Sequence, residues 1–475
     1  MIAETTSPLP DVAGLQRLFE MQRSRSLTLP PPAARERRAK LDALERAIRA
    51  HRSEIATALA ADFRKPRAEV EATEIIPTLA ELKHTRSHLS GWMRPRRVAT
   101  PLTLFGARSE IRYEPKGVAL ILAPWNYPFY LLMTPLIAAL AAGNRAILRP
   151  SEKVPQAAAA MAKIVGEAFS PEDVAVVEGP VRLAEALLQL PFDHIFFTGS
   201  TRVGKIVMHA AAEHLSGVTL ELGGKSPAFV TEDAVLPLAA ERIAWGKFMN
   251  AGQTCVAPDY VLVHEKRAQA FILRAVAAIE KMYGRSEQDR ASNPDFPRLI
   301  DERAFDRLER ALGDSVARGA RIEIGGRFGR EERYIAPTIL SGVDFASPIM
   351  GEEIFGPILP ILTYVSLDDA IRQVRSLPKP LASYAFGGKL AERVLRGVQA
   401  GGSALNDVAV HLVNPNLPFG GIGPSGVGSY HGWFGFRAFS HERAVLRQAR
   451  FSLASLLYPP FGKKTDYVLK MMERL

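Results

Sequence analysis

The stretch Gly117-Val-Ala-Leu-Ile-Leu-Ala-Pro-Trp-Asn-Tyr-Pro128 opens a run that continues to Gly143-Asn144 without a charged residue. Its length suits a membrane span, yet Pro124, Pro128 and Pro135 interrupt it and Trp125-Asn126-Tyr127 sets a polar turn in its middle. The run divides instead. Residues 117–123 read as a short strand buried on both faces, and residues 135–142 as an Ala-rich buried helix closed by Gly143 and Asn144. A strand that is apolar on both faces belongs to a parallel sheet covered by helices, so this stretch decides the fold class.

The pattern repeats outward. Ala146-Ile-Leu148 precedes a helix from about Val154, Val174-Ala-Val-Val177 precedes one over 183–190, and Ile195-Phe-Phe197 precedes a glycine turn and a helix over 203–215. Short apolar strands alternating with helices predict a doubly wound α/β sheet, and a second α/β stretch follows over 224–423. Upstream, residues 34–92 are mainly helical, with Leu41, Leu44, Ile48 and His51 at helical spacing. Residues 101–114 alternate through Leu102, Leu104, Ile111 and Tyr113, which predicts a β-hairpin.

At 475 residues the chain needs more than one core, and its 47% apolar and 23% charged content is that of a globular enzyme. The single cysteine excludes an internal disulfide, and no secretory pattern opens the sequence, so a cytoplasmic location is expected. The net charge of +10 is interleaved with acids, as in Arg35-Glu36-Arg37-Arg38-Ala39-Lys40, and reads as solvated helix faces. No zinc-ligand spacing or basic aromatic stripe accompanies it, so neither a metal nor a nucleic-acid partner is expected.

Gly199-Ser-Thr-Arg-Val-Gly204-Lys205 fits the first seven positions of a Walker A loop, but the eighth is Ile206, which has no hydroxyl for Mg²⁺. A nucleoside triphosphatase is thereby disfavoured. The free N–H groups of the helix that the turn opens can still face a phosphate, and a purely structural turn is the alternative. No G-x-G-x-x-G follows a strand, so the usual Rossmann fingerprint is absent.

Cys255 ends Gly252-Gln-Thr-Cys255, just after a helical stretch over 239–249; a glycine and two polar residues put it in a turn, not on an apolar core face. Glu221 stands where a strand gives way to Gly-Gly. Asn126 is an amide in apolar surroundings, able to serve a structural hydrogen bond or a developing oxyanion. Glu353 lies beside Phe355, an aromatic able to pack on a flat ring. Singly, each has an ordinary structural reading; together they form a constellation.

Pro124-Trp-Asn-Tyr-Pro128, Gly199-Ser-Thr-Arg-Val-Gly204, Glu221-Leu-Gly-Gly-Lys225, Gly252-Gln-Thr-Cys255 and Glu353-Ile-Phe-Gly-Pro357 resemble the successive signatures of the aldehyde dehydrogenase superfamily, nearest its class 3 branch of fatty and aromatic aldehyde dehydrogenases. Supporting runs are Trp245-Gly-Lys-Phe-Met-Asn250, Tyr334-Ile-Ala-Pro-Thr338, Asn406-Asp407 and Leu417-Pro-Phe-Gly-Gly421, and the resemblance spans residues 35–445.

The resemblance implies that Cys255 attacks the aldehyde, that Asn126 and the Cys255 N–H hold the oxyanion, and that Glu221 activates water against the thioester. It implies cofactor contacts at Trp125, Arg149, Glu152, Gly199, Ser200, Thr201, Gly204, Glu353 and Phe355, and a substrate channel lined by Tyr127 and His411. NAD is the expected cofactor and NADP remains open, because Arg149 stands where the family has Lys. The implied division is a cofactor domain over 1–99 and 116–223, a catalytic domain over 224–423, an oligomerisation element over 100–115 and 424–450, and a tail over 451–475. A homodimer is expected. In the tail, Val468, Met471, Met472 and Leu475 share one face of a helix from about Lys464, too short to cross a bilayer. Docking on the enzyme's own body or across a dimer is the expected fate of such a terminal helix; its basic flanks also suit peripheral membrane contact, and disorder is the remaining alternative.

Overall fold

The computed structural model describes residues 11–450 and 453–473. Its first large sheet has Val118–Leu122 at the centre. Arg145–Arg149 and Val174–Val176 lie on one side, His194–Thr198 and Gly217–Glu221 on the other, all parallel. In chain order this is 3-2-1-4-5, the doubly wound arrangement predicted from the alternating pattern. Gly426–Val427 adds a short antiparallel strand beside Gly217–Glu221. All five residues of Val118–Leu122 are buried, because helices cover both faces of the sheet.

The order reverses between Val118–Leu122 and His194–Thr198, and such a reversal opens a crevice beyond the carboxyl ends of the two strands. The chain fills that crevice with the two segments that leave these ends, Pro124-Trp-Asn-Tyr and Gly199-Ser-Thr. The second sheet, seven-stranded, runs Arg321–Ile324, Thr338–Ser341, Ile358–Tyr364, Tyr260–His264, Pro227–Val230, Ala382–Phe386 and Gly402–Leu405, with only the first antiparallel. A third, antiparallel sheet joins Arg96–Val98, Arg108–Pro115 and Ser440–Arg447.

Two boundaries differ from the sequence reading. The buried helix runs over Pro128–Ala142, well before its Ala-rich end, because proline at the first helical position costs no hydrogen bond. It closes at Gly143, whose φ of 93° is left-handed, as the Gly-Asn signal predicts. The hairpin also differs. Its first arm is Arg96–Val98, paired with Ser109–Ile111 in the second, while Leu102 and Leu104 fall in a single 3₁₀ turn. Pro101 fixes φ and offers no N–H to a ladder, so the alternation at 102 and 104 is not that of a strand.

The tail forms a 3₁₀ turn, Leu453–Leu457, and the helix Lys463–Met472, which starts one residue before the expected Lys464. The turn packs against Leu102–Leu104 and the helix against the turn, while Tyr467, Leu469 and Met471 remain exposed. Leu475 lies outside the described residues. Among those described, no helix is long and apolar enough to cross a membrane.

Candidate active site

One cavity of about 580 Å³ follows the crevice. It is lined by Trp125, Asn126 and Tyr127 from the first strand's end, by Thr198, Gly199, Ser200 and Thr201 from the fourth's, and by Glu221, Cys255, Glu353 and Phe355. The fold thus brings ten of the residues singled out in the sequence to one space.

Cys255 reaches it from an unusual turn. Helix Leu236–Phe248 ends, and Asn250, Ala251 and Gly252 then take φ values of 53°, 51° and 74° in succession. Such backbone persists only where its surroundings fix it. Gly252 passes so close to Gly356 that a Cβ would meet the Gly356 carbonyl oxygen at 2.2 Å, so no side chain fits there. The buried Gln253 carboxamide donates to the Asn250 and Arg298 carbonyls, each at 3.1 Å, and accepts from the Ile300 N–H at 2.9 Å. Asn126 Nδ2 donates to the Gln253 carbonyl at 3.0 Å, and Tyr127 and Thr254 share a hydroxyl hydrogen bond of 2.6 Å. The turn and the Trp-Asn-Tyr segment therefore hold each other.

Below Tyr127 lies a buried ion pair. Lys65 Nζ stands 2.6 Å from Glu74 Oε1 and 3.8 Å from the Tyr127 ring centroid. Glu74 Oε2 accepts from the Phe129 and Tyr130 N–H groups, two of the donors left open at the start of Pro128–Ala142. A carboxylate at this end also suits the helix dipole.

Glu221 is the last residue of Gly217–Glu221, and neither carboxylate oxygen has a hydrogen-bond partner. Burial pushes its pKa well above the usual carboxylate range. Burial, then the neighbouring Glu353 and Glu221 charges, pushes the Cys255 thiol up to about 12. Glu353 itself rises to about 8, chiefly through burial and then through Asp259. Its carboxylate lies across the Gly-Gly turn, where a Cβ on Gly223 would meet Oε2 at 2.1 Å. Phe355 packs edge-on against Trp125 with ring centroids 5.4 Å apart.

The crevice suits a nicotinamide dinucleotide. Ser200 caps the helix Thr201–His214, whose first N–H groups open towards the cavity, and the Thr198 hydroxyl is buried without a partner. Gly204 acts one step back: it lies in the helix, and a Cβ there would meet Leu222 Cδ2 at 2.6 Å, so its role is close helix–sheet packing.

Three further candidates do not line the cavity. Arg149 is buried with its guanidinium turned to the Pro150 carbonyl, to the Gly179 carbonyl at 2.5 Å and to Glu152 Oε2 at 3.3 Å. Neither Arg149 nor Glu152 lines the cavity. His411 is a correction. In the turn Val410–Val413, Val410, Leu412 and Val413 take the cavity side, and the His411 ring turns towards Tyr384, Gly402 and Phe419. The histidine that lines the cavity is His431, with Tyr130, Leu131, Trp245, Met249 and Phe419, none of which the sequence reading assigned to the site. Tyr130 was within reach, three residues after Tyr127 on the first turn of a helix.

The chain belongs to the aldehyde dehydrogenase family, whose model matches residues 28–445. Aldehyde dehydrogenase family 3 member H1 of Arabidopsis thaliana is 44% identical over 425 residues, 89% of this chain and 87% of that protein, in keeping with the class 3 resemblance. The structure of substrate-bound AldH from Staphylococcus aureus matches with a TM-score of 0.92 at 42% identity, over 96% of this chain and 99% of that one. An indole-3-acetaldehyde dehydrogenase in complex with NAD⁺ matches with a TM-score of 0.84 at 28% identity, over 92% and 90%. The protein is an enzyme that oxidises aldehydes to carboxylic acids with NAD(P)⁺.

Proposed function

We propose that Cys255 is the nucleophile, with Asn126 and the Cys255 N–H as oxyanion donors and Glu221 as the base that releases the acid. The observation that carries this reading is the meeting of the chain's only thiol, the Asn126 amide and an unpartnered buried carboxylate in one cavity. Sγ bonds to the aldehyde carbon as the thiol gives up its proton to water, and the charge that develops on oxygen meets two donors held in place before the reaction. When bound, NAD(P)⁺ supplies the acceptor for the hydride lost from that carbon, which leaves a thioester on Cys255. Glu221 takes a proton from water as water attacks the thioester, and the acid departs with Cys255 restored.

Glu353 and Phe355 would hold the nicotinamide end of the cofactor, with Trp125 beside them. Gly199, Ser200 and Thr201 would hold the pyrophosphate, and Gly204 would seat their helix. NAD is the preferred cofactor. Arg149 spends its guanidinium on carbonyls and Glu152, leaving little to grip a 2′-phosphate, and Glu152 repels one.

Aromatic and medium- to long-chain aldehydes are the substrate class, because Tyr127, Tyr130, Leu131, Trp245, Met249, Leu412 and Phe419 give the cavity a mostly apolar wall. The division into cofactor, catalytic and bridging parts has the support of the three sheets. A cytoplasmic homodimer joined through the sheet of Arg96–Val98, Arg108–Pro115 and Ser440–Arg447 completes the proposal, with the tail helix meeting the partner or a membrane surface. An aldehyde panel with NAD and NADP in parallel, run on wild type and Cys255→Ala, tests it. NAD-dependent oxidation that survives in the variant would overturn the assignment of Cys255.

A further inference from the structure

The side chains of Lys65 and Glu74 are both wholly out of solvent, with Nζ 2.6 Å from Oε1. Local backbone turns each of them inward. The helix Arg52–Phe63 stops at Arg64, whose φ of 57° is left-handed, and Pro66 disfavours helix at Lys65, so the chain breaks where the lysine leaves for the core. Glu74 belongs to the π-helical turn Glu71–Ile75, whose wider winding shifts its side chains out of α-helical register.

Buried ion pairs seldom add stability, because desolvation offsets most of their attraction and an apolar pair of similar volume holds a fold as well or better. What this pair touches gives it another use. Glu74 Oε2 accepts from the Phe129 and Tyr130 N–H groups at 2.9 and 3.3 Å, which fixes where the helix Pro128–Ala142 begins. Lys65 Nζ stands 3.8 Å from the Tyr127 ring centroid, where a desolvated cation is strongly attracted to the ring face. The ring so held places its hydroxyl 2.6 Å from that of Thr254. Asn126 precedes Tyr127 and Cys255 follows Thr254, so the pair grips a neighbour of both groups. Neither Lys65 nor Glu74 lines the cavity, and any effect of theirs on the reaction passes through those neighbours.

We propose that Lys65 and Glu74 are a positioning pair for the oxidation: acting through Tyr127, they hold the Asn126 amide and the Cys255 turn in register, and their charges serve the rate of the chemical step. The proposal rests on the reading of Cys255 as nucleophile and Asn126 as oxyanion donor. It gives the two charges a part in the reaction although no reacting group touches them.

The test replaces the pair by neutral residues of similar shape. In Lys65→Met/Glu74→Gln the glutamine oxygen still accepts from the Phe129 and Tyr130 N–H groups, and no buried charge is left alone. This variant should keep its NAD affinity and unfold near the wild-type temperature. On mixing with NAD and an aromatic aldehyde, its NADH burst should slow by about ten- to a hundredfold, the cost of a misplaced reacting group. Against a Tyr127→Leu background the same double replacement should change the burst rate by less than about twofold, because the ring that transmits the effect is gone. A burst as fast as wild type, or an equal loss in both backgrounds, overturns the proposal. Misfolding, or a loss of NAD affinity in step with the rate, would assign the pair to the fold at large and overturn it too. Cys255→Ala run alongside separates the two readings. If it still oxidises aldehyde, the nucleophile assignment has failed; if it is inert while the neutral pair is fast, only the positioning role has.

Discussion

Asn126 Nδ2 donates to the carbonyl oxygen of Gln253 at 3.0 Å, two residues before Cys255. In return, the Asn126 carbonyl accepts from Asn250 Nδ2 at 2.9 Å. One proton of the Asn126 amide thus fixes the turn that carries Cys255, and in the proposed mechanism the other serves the reacting oxygen. Asn126→Ala should lower kcat by about 10²–10³-fold, the usual effect of removing an oxyanion donor. NAD affinity, measured by fluorescence quenching, should stay within about threefold, the scale of a lost minor contact. A rise in KM alone, with kcat intact, would contradict the oxyanion role.

Glu221 sets a pH dependence whose sign can be derived. In the proposed mechanism Glu221 works as a carboxylate, and burial raises its pKa well above the ordinary range. The active fraction therefore grows as pH rises, and kcat should climb through neutrality instead of levelling off above about pH 5, where a solvated carboxylate would already be ionised. A kcat flat from about pH 6 to 9 would mean that the carboxylate is already formed in the working enzyme.

The buried acids also shape stability. Glu69 is raised to about 7 and Glu353 to about 8, both chiefly by burial. A folded pKa above the unfolded one stabilises the fold fully below the unfolded value, and that stability is lost as pH rises through the folded value. The Tm of the cofactor-free enzyme should fall between about pH 5 and 8, and Glu69→Gln should reduce the slope. An identical slope in the variant would remove Glu69 from this account.

In the proposed reading cofactor choice turns on Glu152, which shares Arg149 with two carbonyls. Glu152→Gln removes a charge that repels a 2′-phosphate and should raise NADP use relative to NAD by roughly tenfold in kcat/KM, about 1.4 kcal/mol. An unchanged ratio would remove Glu152 from this account.

Among the described residues none of the tail lines the cavity, and the helix Lys463–Met472 leaves Tyr467, Leu469 and Met471 exposed. Deleting residues 460–475 should therefore leave relative rates across an aldehyde panel unchanged while altering oligomeric state or binding to anionic liposomes. A changed aldehyde preference would show that the tail reaches the channel.

The doubly wound sheet was legible because each strand is a short apolar run between helices, and local pattern suffices for that. The ten residues lining one cavity were legible as motifs, since a thiol after Gly-Gln-Thr or an acid before Gly-Gly stands out in its neighbourhood. His411 and His431 show the limit. His411 lies in an apolar run and His431 among glycines and aromatics, and only the turn geometry around each decides which ring enters the cavity. Lys65 and Glu74 were illegible for another reason: two charges in a helical stretch read as solvated until the tertiary fold buries them together.

The thioester on Cys255 is the central claim, and Glu221→Gln isolates it. The variant keeps the thiol and the oxyanion donors but has no carboxylate to activate water. Mixed with NAD and an aromatic aldehyde, then quenched and weighed intact, it should give a burst of NADH close to one per subunit. The mass should increase by that of the acyl group, and peptide mapping should locate the group on Cys255. Slow turnover with no burst and no adduct would contradict the account.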